Sequence, residues 1–244
     1  MKRCKTAVVY WMGRWRPGWR MSLFVVLMLP LVVGLGLWQL ERADEKRWYE
    51  QRYLQRLSNL PVAPAELPEA RDDSAFMRVV LEGEYQPGKD FLVDNRVHLG
   101  RPGYWVVSLL RTDDGRGWLI NRGWLAGPAS RDDLPAVPTP SGSVRVVGVL
   151  WPNTGLPPLL APDPWPPGWP KRVQRLDVGQ MAAQAPAVVP AEVRLEPGEA
   201  GGFVAAPLDM AFSPARHHGY AFQWFGLALA LTVGYLVFGF RRTE

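Results

Sequence analysis

The sequence predicts a membrane protein in which two transmembrane α-helices bracket an exported, mainly antiparallel β domain of the α+β class. Two long uncharged apolar runs lie near the two ends of the 244-residue chain. Gly and Pro number 24 each and together make up about a fifth of the chain. Their usual combined share is about 12%, so the excess is typical of a turn-rich β architecture. Between the two apolar runs, short alternating segments are separated by turn signals, which favours strands over a helix bundle.

The first apolar run, residues 21–40, has no charge and only Ser22 and Gln39 as polar members. Twenty helical residues span about 30 Å, the thickness of a bilayer core, so this run predicts a transmembrane helix. A cleaved signal peptide is the alternative. It is disfavoured because its apolar region normally has about 7–15 residues before small residues at a cleavage site. This run is longer and continues into Trp38-Gln-Leu-Glu-Arg42.

The second uncharged run, residues 220–240, predicts the second transmembrane helix. It carries a stripe of small residues at a spacing of four, where another helix can approach closely. The stripe consists of Gly226, Ala230 and Gly234. It would pack either against Pro30 and Gly34 of the first span or against a foreign partner helix, and we favour the first.

The distribution of charge predicts the topology. Segment 1–20 has six basic residues and no acid, and tail 241–244 has two basic residues. By the positive-inside rule both ends are cytoplasmic, or on the matrix side in an organelle, and segment 41–219 lies across the membrane. The short N-terminus favours the bacterial inner membrane over a mitochondrion. Cys4, the only cysteine, then lies in the reducing compartment.

Several functional classes are disfavoured by composition. The net charge of +5 comes from the ends, since residues 41–216 hold 20 basic and 22 acidic residues, so nucleic-acid binding has no electrostatic basis. A single cysteine excludes a disulfide scaffold or a thiolate metal cluster. The sequence contains no nucleophile-elbow, phosphate-loop or zinc-protease motif, and we expect no enzymatic activity.

The exported segment predicts a helix over 41–57, a Pro-rich linker over 60–68, and then an antiparallel sheet or small barrel. Residues 152–170, with eight prolines, are expected to form an irregular surface loop, and a short helix is expected near 178–184. Each predicted strand is an apolar or alternating run of strand length. These strands cover 76–85, 91–98, 104–111, 117–124, 144–151, 171–176 and 188–195.

The start of the second span is the candidate site. Ser213 suits an N-cap and Pro214 a first helical position, so the helix is predicted to begin near residue 214. One face then presents an imidazole above a small residue and between two aromatic rings, a plausible seat for a haem whose iron needs an imidazole ligand. The residues of this face are His217, Tyr220, Ala221 and Trp224. Arg216 and the free N–H groups of the helix start could hold propionates. The alternative is a solvated interfacial histidine, which physics alone favours.

Four motifs in this order and topology resemble the Surfeit-locus family of cytochrome oxidase assembly factors over residues 20–240. The motifs are Leu35-Gly-Leu-Trp-Gln-Leu-Glu-Arg-Ala-Asp-Glu-Lys46, Val93-Asp-Asn-Arg-Val-His-Leu-Gly-Arg-Pro-Gly-Tyr104, Leu119-Ile-Asn-Arg-Gly-Trp124 and His217-x-x-Tyr-Ala-x-Gln-Trp-Phe225.

The resemblance implies a bacterial assembly factor that binds haem a and assists its insertion into the catalytic subunit of cytochrome c oxidase, with haem a synthase as a further partner. It assigns the haem iron to His217, whereas His218 occupies a variable position. Tyr220 and Trp224 would flank the ring, and Arg216 would pair with a propionate. The alternative function is a cofactor-free scaffold that stabilises an oxidase intermediate. The Asn121–Trp124 motif is expected to be a buried structural turn rather than a ligand contact.

Overall fold

The computed structural model describes residues 15–68, 71–153, 155–156, 158–159, 163, 165, 167–205 and 213–240. The predicted tail 241–244 and most of the basic segment 1–20 lie outside the described residues.

The chain divides into two compact units, residues 1–51 with 208–244, and residues 52–207. In chain order the elements are α1 (Trp19–Leu57), a 3-10 turn (Pro64–Glu66), α2 (Arg71–Ser74), β1 (Arg78–His98), β2 (Arg101–Thr112), β3 (Gly117–Ala126), β4 (Ser143–Trp151), β5 (Lys171–Val173), α3 (Val178–Ala182), β6 (Val188–Leu195) and α4 (Pro214–Gly239).

Helices α1 and α4 are both long and apolar enough to cross a membrane. Only 11% of the most apolar window of each helix is buried, unlike the core helix of a soluble protein. Helix α1 has 39 residues and runs without a break through the predicted span and the predicted helix over 41–57. The fold is therefore that of a membrane protein with two transmembrane helices that flank a β domain, as predicted.

Within the first unit, the two helices run antiparallel and are joined at several levels. The hydroxyls of Ser22 and Tyr235 are 2.8 Å apart, near the start of α1 and the end of α4. Further along, Gly36 is buried against Phe225, whose ring would lie 2.7 Å from a Cβ at position 36. Glycine at this position therefore lets the aromatic ring rest directly on the backbone of α1.

The small-residue stripe does not pack against the first span, so the interpretation favoured from the sequence is wrong. A Cβ added at Gly226, Gly234 or Gly34 would have no atom within 4 Å. The buried positions of α4 are instead Ala221, Ala228 and Gly239. Spacing along a helix identifies a smooth face, but it does not fix which face turns toward the neighbouring helix.

The second unit contains a six-stranded mixed sheet, which we call the β domain. Its strands follow the order β2-β3-β6-β4-β1, and β1 also pairs with β2, so these five strands form a closed ring. Four of the six pairings are antiparallel, while β1–β5 and β3–β6 are parallel. Closure leaves β5 as a short strand beside β1 and protects the other edges from pairing with another chain.

Strand β1 is one strand of 21 residues rather than the two predicted over 76–85 and 91–98. The Pro87-Gly88 signal produces a register shift between Tyr85 and Asp90, with Gly88 at φ +73°, and not a turn. Pairing with β2 continues on both sides of this irregularity. The bulge therefore bends the strand, so that its first half pairs with β4 and its second half with β5.

Two of the later elements are shorter than predicted, whereas β6, Val188–Leu195, has the predicted bounds. The strand predicted over 171–176 ends at Val173, and the helix predicted over 178–184 ends at Ala182, with Asp177 as its N-cap. The predicted surface loop over 152–170 is partly anchored, because the rings of Trp165 and Trp169 lie 5.9 and 5.0 Å from that of Phe91. The two tryptophans join the apolar cluster inside the sheet, which a solvated loop would not do.

Candidate functional site

His217 lies in the first turn of α4 and its ring faces α1. Its Nδ1 is 2.7 Å from Oε1 of Gln39, a partly buried contact between the two helices. An amide oxygen only accepts hydrogen bonds, so Nδ1 carries the proton and donates. The lone pair of the neutral ring then sits on Nε2. This is the arrangement that orients a histidine for metal ligation and raises its basicity.

His218 has a separate partner, as its position 100° around the helix requires. Nη2 of Arg47 donates to its Nε2 over 2.8 Å. The two adjacent histidines therefore differ, because the Nε2 of His218 is occupied while that of His217 is not engaged by Gln39. Helix α4 begins at Pro214 with Ser213 at the N-cap position, as predicted, although the Ser213 side chain makes no capping bond.

The remaining predicted ligand contacts lie on the same helix with different exposure. Arg216 is exposed, Tyr220 is 47% exposed, and Trp224 is partly buried. Ala221 is buried, one turn after His217. The charges of Lys46, Arg42 and Arg216 act on His217, against the opposing charge of Glu45. The imidazole thus has three basic side chains and one acidic side chain near it, and the basic ones could pair with the carboxylates of a haem. The structure thus gathers His217, Arg216 and two basic residues of α1, while the ring of Tyr220 stays open to its surroundings.

The hydrogen bond at Nδ1 leaves Nε2 of His217 as the ring atom that could ligate a haem iron, and the nearby basic side chains could hold the haem carboxylates. Ala221, the small residue predicted to lie beneath the haem, is itself buried and offers it no open surface. Among the described residues there is no group of three or more His, Cys, Asp or Glu able to hold a bare metal ion.

Comparison with known proteins supports the motif pattern. The model of the SURF1 family matches residues 26–229, most of the chain. The chain belongs to the SURF1 family. A SURF1-like protein of Rickettsia felis is 28% identical over 107 residues, which cover 43% of this chain and 46% of that protein. An uncharacterized SURF1-like protein of Mycobacterium tuberculosis is 25% identical over 236 residues, 91% of this chain and 84% of that protein.

A SURF1-like protein of Dictyostelium discoideum is 32% identical over 115 residues, 43% of each chain. The chain thus spans about half the length of the first curated relatives it matches, and most of the mycobacterial one.

In this SURF1-family protein the Asn121–Trp124 motif builds the interior of the β domain. The Arg122 side chain is only 2% exposed. Its Nε donates to the Gly201 carbonyl over 2.6 Å, its Nη1 to Oγ of Ser108 over 3.1 Å, and its Nη2 to the Pro138 carbonyl. Ser108 in turn donates to the buried carboxylate of Asp90. Burial raises the pKa of Asp90, against the opposing effects of Ser108 and Arg122. These bonds make Arg122 a structural group.

The rest of the motif is also buried and structural, as expected from the sequence, but it forms a bulge within strand β3 rather than the expected turn. Gly123 has φ +99°, and a Cβ there would lie 2.4 Å from the carbonyl oxygen of Val204. Nε1 of Trp124 donates to the Arg96 carbonyl over 2.9 Å, and its ring centroid lies 5.1 Å from that of His98. The two motifs of the β domain therefore hold each other in place.

Gln39 is the site residue that sequence reasoning missed. It was identified as one of two polar residues in the first span, and it was given no role. Both polar residues, Ser22 and Gln39, bind the second helix. A polar side chain in an otherwise apolar span needs a partner within the protein, so its presence alone was the available signal.

Proposed function

We propose that this protein binds haem a through His217 at the membrane interface and assists its insertion into the catalytic subunit of cytochrome c oxidase. The SURF1 family is known as a family of cytochrome oxidase assembly factors, which supports the oxidase assignment. The observation that carries the haem assignment is the hydrogen bond from Nδ1 of His217 to Gln39. It selects the tautomer in which Nε2 can ligate a metal.

Each side chain has a defined part in this proposal. Haem a, when bound, would supply an iron that takes an imidazole ligand, two carboxylates and a long apolar tail. His217 offers Nε2 to the iron, and Gln39 holds the imidazole plane. Arg216 pairs with a propionate, while Tyr220 and Trp224 offer aromatic contact to the macrocycle. A helix that starts in water and continues into lipid supplies a polar rim and hydrocarbon together.

We further propose that the protein is a non-enzymatic carrier in the bacterial inner membrane. Its two ends would be cytoplasmic and its β domain periplasmic, because both ends have an excess of basic over acidic residues, whereas residues 41–216 hold 20 basic and 22 acidic residues. The partners of this carrier would be the catalytic subunit, haem a synthase as donor, and the lipid bilayer, with no nucleic acid.

The first test is His217→Ala in a host that synthesises haem a. We expect the reduced haem a band of the detergent-purified protein to fall at least about tenfold per protein, because the iron loses its protein ligand. His218→Ala is the matched control, since it removes a neighbouring imidazole bonded to Arg47 and should keep the band. Equal haem content in both variants and the wild type would refute the assignment of His217.

The second test addresses Gln39. Gln39→Leu removes the acceptor of Nδ1 while it keeps the size and position of the side chain, so haem a affinity should fall by about 10–100-fold. Ser22→Ala is the control, because it removes another polar contact between the same helices, at their far end. Titration of apoprotein with haem a measures both. A similar loss in the two variants would mean that Gln39 acts only through helix pairing.

A cofactor-free scaffold remains the second candidate, and one observation favours it. The stripe of Gly226 and Gly234 faces no atom within 4 Å, which leaves a smooth helix face for a foreign helix. Gly226→Leu with Gly234→Leu should then reduce co-purification of the oxidase subunit, whereas His217→Ala should not. A haem a band that is absent from wild-type protein, together with this loss, would favour the scaffold.

A further inference from the structure

A cavity of about 410 Å³ opens in the β domain, apart from the site at His217. Arginine and tryptophan side chains from the long strands meet there. Arg96 comes from β1, Trp105 from β2, Trp151 from the end of β4, and Glu192 and Arg194 from β6. Its volume falls in the range of sites for small organic molecules, about 300–1,000 Å³.

The two guanidinium groups and two indole rings form an alternating stack. The guanidinium carbon of Arg96 lies 4.1 Å from the ring centroid of Trp105, and that of Arg194 lies 5.4 Å from the same ring. Arg194 also lies 3.7 Å from the ring centroid of Trp151. Cation–π contacts of this kind fix the position of both cations against flat aromatic walls.

The charges of the cavity do not balance. Glu192 is buried and accepts from Nε of Arg194 over 2.7 Å and from Nδ2 of Asn121 over 2.7 Å. That carboxylate is therefore committed to Arg194. Nε of Arg96 is buried and has no hydrogen-bond acceptor among the described residues. One positive charge and one buried donor are thus left without a partner in the cavity.

The buried Nε of Arg96 is costly to leave without a hydrogen-bond acceptor. Burial and the charge of Arg194 lower the pKa of Arg96, against the opposing effect of Glu192, and an arginine remains protonated in proteins. Buried N–H donors are almost always bonded, so an orphan donor beside a cavity indicates that an acceptor enters from outside. An anion would satisfy the donor and neutralise the excess charge at the same time.

We propose that this cavity binds a small organic anion, with its carboxylate or phosphate group at Arg96 and an apolar body against Trp105, Trp151 and the aliphatic wall. The aliphatic wall is formed by Leu150, Leu176, Val178 and Pro190. The cavity is compact and its walls come from several strands, which suits a small molecule better than an extended peptide. This site lies wholly in the β domain and does not depend on haem binding.

Binding of fluorinated probes to the full-length protein in neutral detergent micelles tests the proposal. The probes are 4-fluorobenzoate and 4-fluorophenyl phosphate, which separate the two acid groups, and 4-fluorobenzamide, a neutral compound of similar shape to the benzoate. Fluorine NMR of each probe, corrected with empty micelles, gives the Kd. We expect saturable binding of at least one anion, at least tenfold tighter than the amide. This comparison uses the wild-type protein and requires no variant to fold.

The variant Arg96→Gln should weaken binding of that anion at least tenfold, because the unpaired charge is lost. Arg145→Gln is the control, since it removes an equal charge from an exposed position that pairs with Glu82 on the outside of the sheet. Circular dichroism verifies that both variants keep the wild-type fold. The proposal is overturned if neither anion binds saturably, if the amide binds as tightly as the anions, or if a folded Arg96→Gln protein binds as the wild type does.

Discussion

Replacing Arg122 by methionine is expected to lower the free energy of unfolding of the β domain by about 3–5 kcal/mol. The guanidinium is 2% exposed and its three donors reach two backbone carbonyls and the hydroxyl of Ser108. Methionine fills a similar volume but donates nothing. The carbonyls of Gly201 and Pro138 and the buried carboxylate of Asp90 would then lose their donor or their opposite charge, and such groups are expensive to leave unpaired.

For a domain of this size the loss corresponds to a fall in Tm of about 6–20 °C. Thermal unfolding of the full-length protein in detergent, followed by tryptophan fluorescence, measures it. Arg145→Met is the matched control, because its side chain is 63% exposed and its ion pair with Glu82 lies at the surface. That variant should unfold within about 2 °C of the wild type. If Arg122→Met also unfolds within 2 °C, the buried network contributes nothing to stability.

Replacing Gly123 by alanine is expected to cost about 3–5 kcal/mol, from two separate causes. The backbone has φ +99°, where a side chain is strained, and the new Cβ would lie 2.4 Å from the carbonyl oxygen of Val204. That oxygen cannot move away freely, because it accepts the backbone N–H of Trp124 over 2.6 Å. The substitution therefore pushes β3 away from the segment at Val204, which pairs with Trp124 through an isolated bridge.

Gly88→Ala distinguishes the backbone strain of a positive φ from the collision with the Val204 carbonyl oxygen. Gly88 also has a positive φ, +73°, but a Cβ there meets no atom within 4 Å. It should cost only the strain, about 1–2 kcal/mol, and the difference between the two alanine variants measures the collision. Tm values of the two variants that agree within error would show that the neighbouring chain yields to the added carbon.

The two transmembrane helices were predictable because an uncharged apolar run of about twenty residues is long enough to cross a bilayer as a helix. Strand β1 was predicted as two strands because Pro87-Gly88 is a local turn signal. Whether the chain turns or bulges there is decided by β2, which continues to pair beyond the irregularity. The short strand β5 ended early for a related reason, since its pairing with β1 covers only three residues. Local signals thus located the strands but not their continuity.

The site was predictable in part. His217 stood out by residue type and by motif, whereas the role of Gln39 depends on a contact between residues far apart in the chain. The cavity of Arg96 and Arg194 was not predictable either, because closure of the ring brings β1 and β6 to one place. The spacing of the small residues in α4 led to a wrong prediction of helix packing, because a pattern within one helix contains no information about the orientation of its neighbour.

The bond between His217 and Gln39 also determines how late in synthesis of the chain the two helices can be joined at this point. The two residues are 178 positions apart, so the amide of Gln39 is made long before the imidazole that it will hold. At about 5–20 residues per second, translation needs about 10–35 s to cover that distance. During this interval the nascent chain carries an unpaired amide in its first span. The pair can form only after residue 217 has been made, so a chain terminated before that residue lacks this contact between the helices.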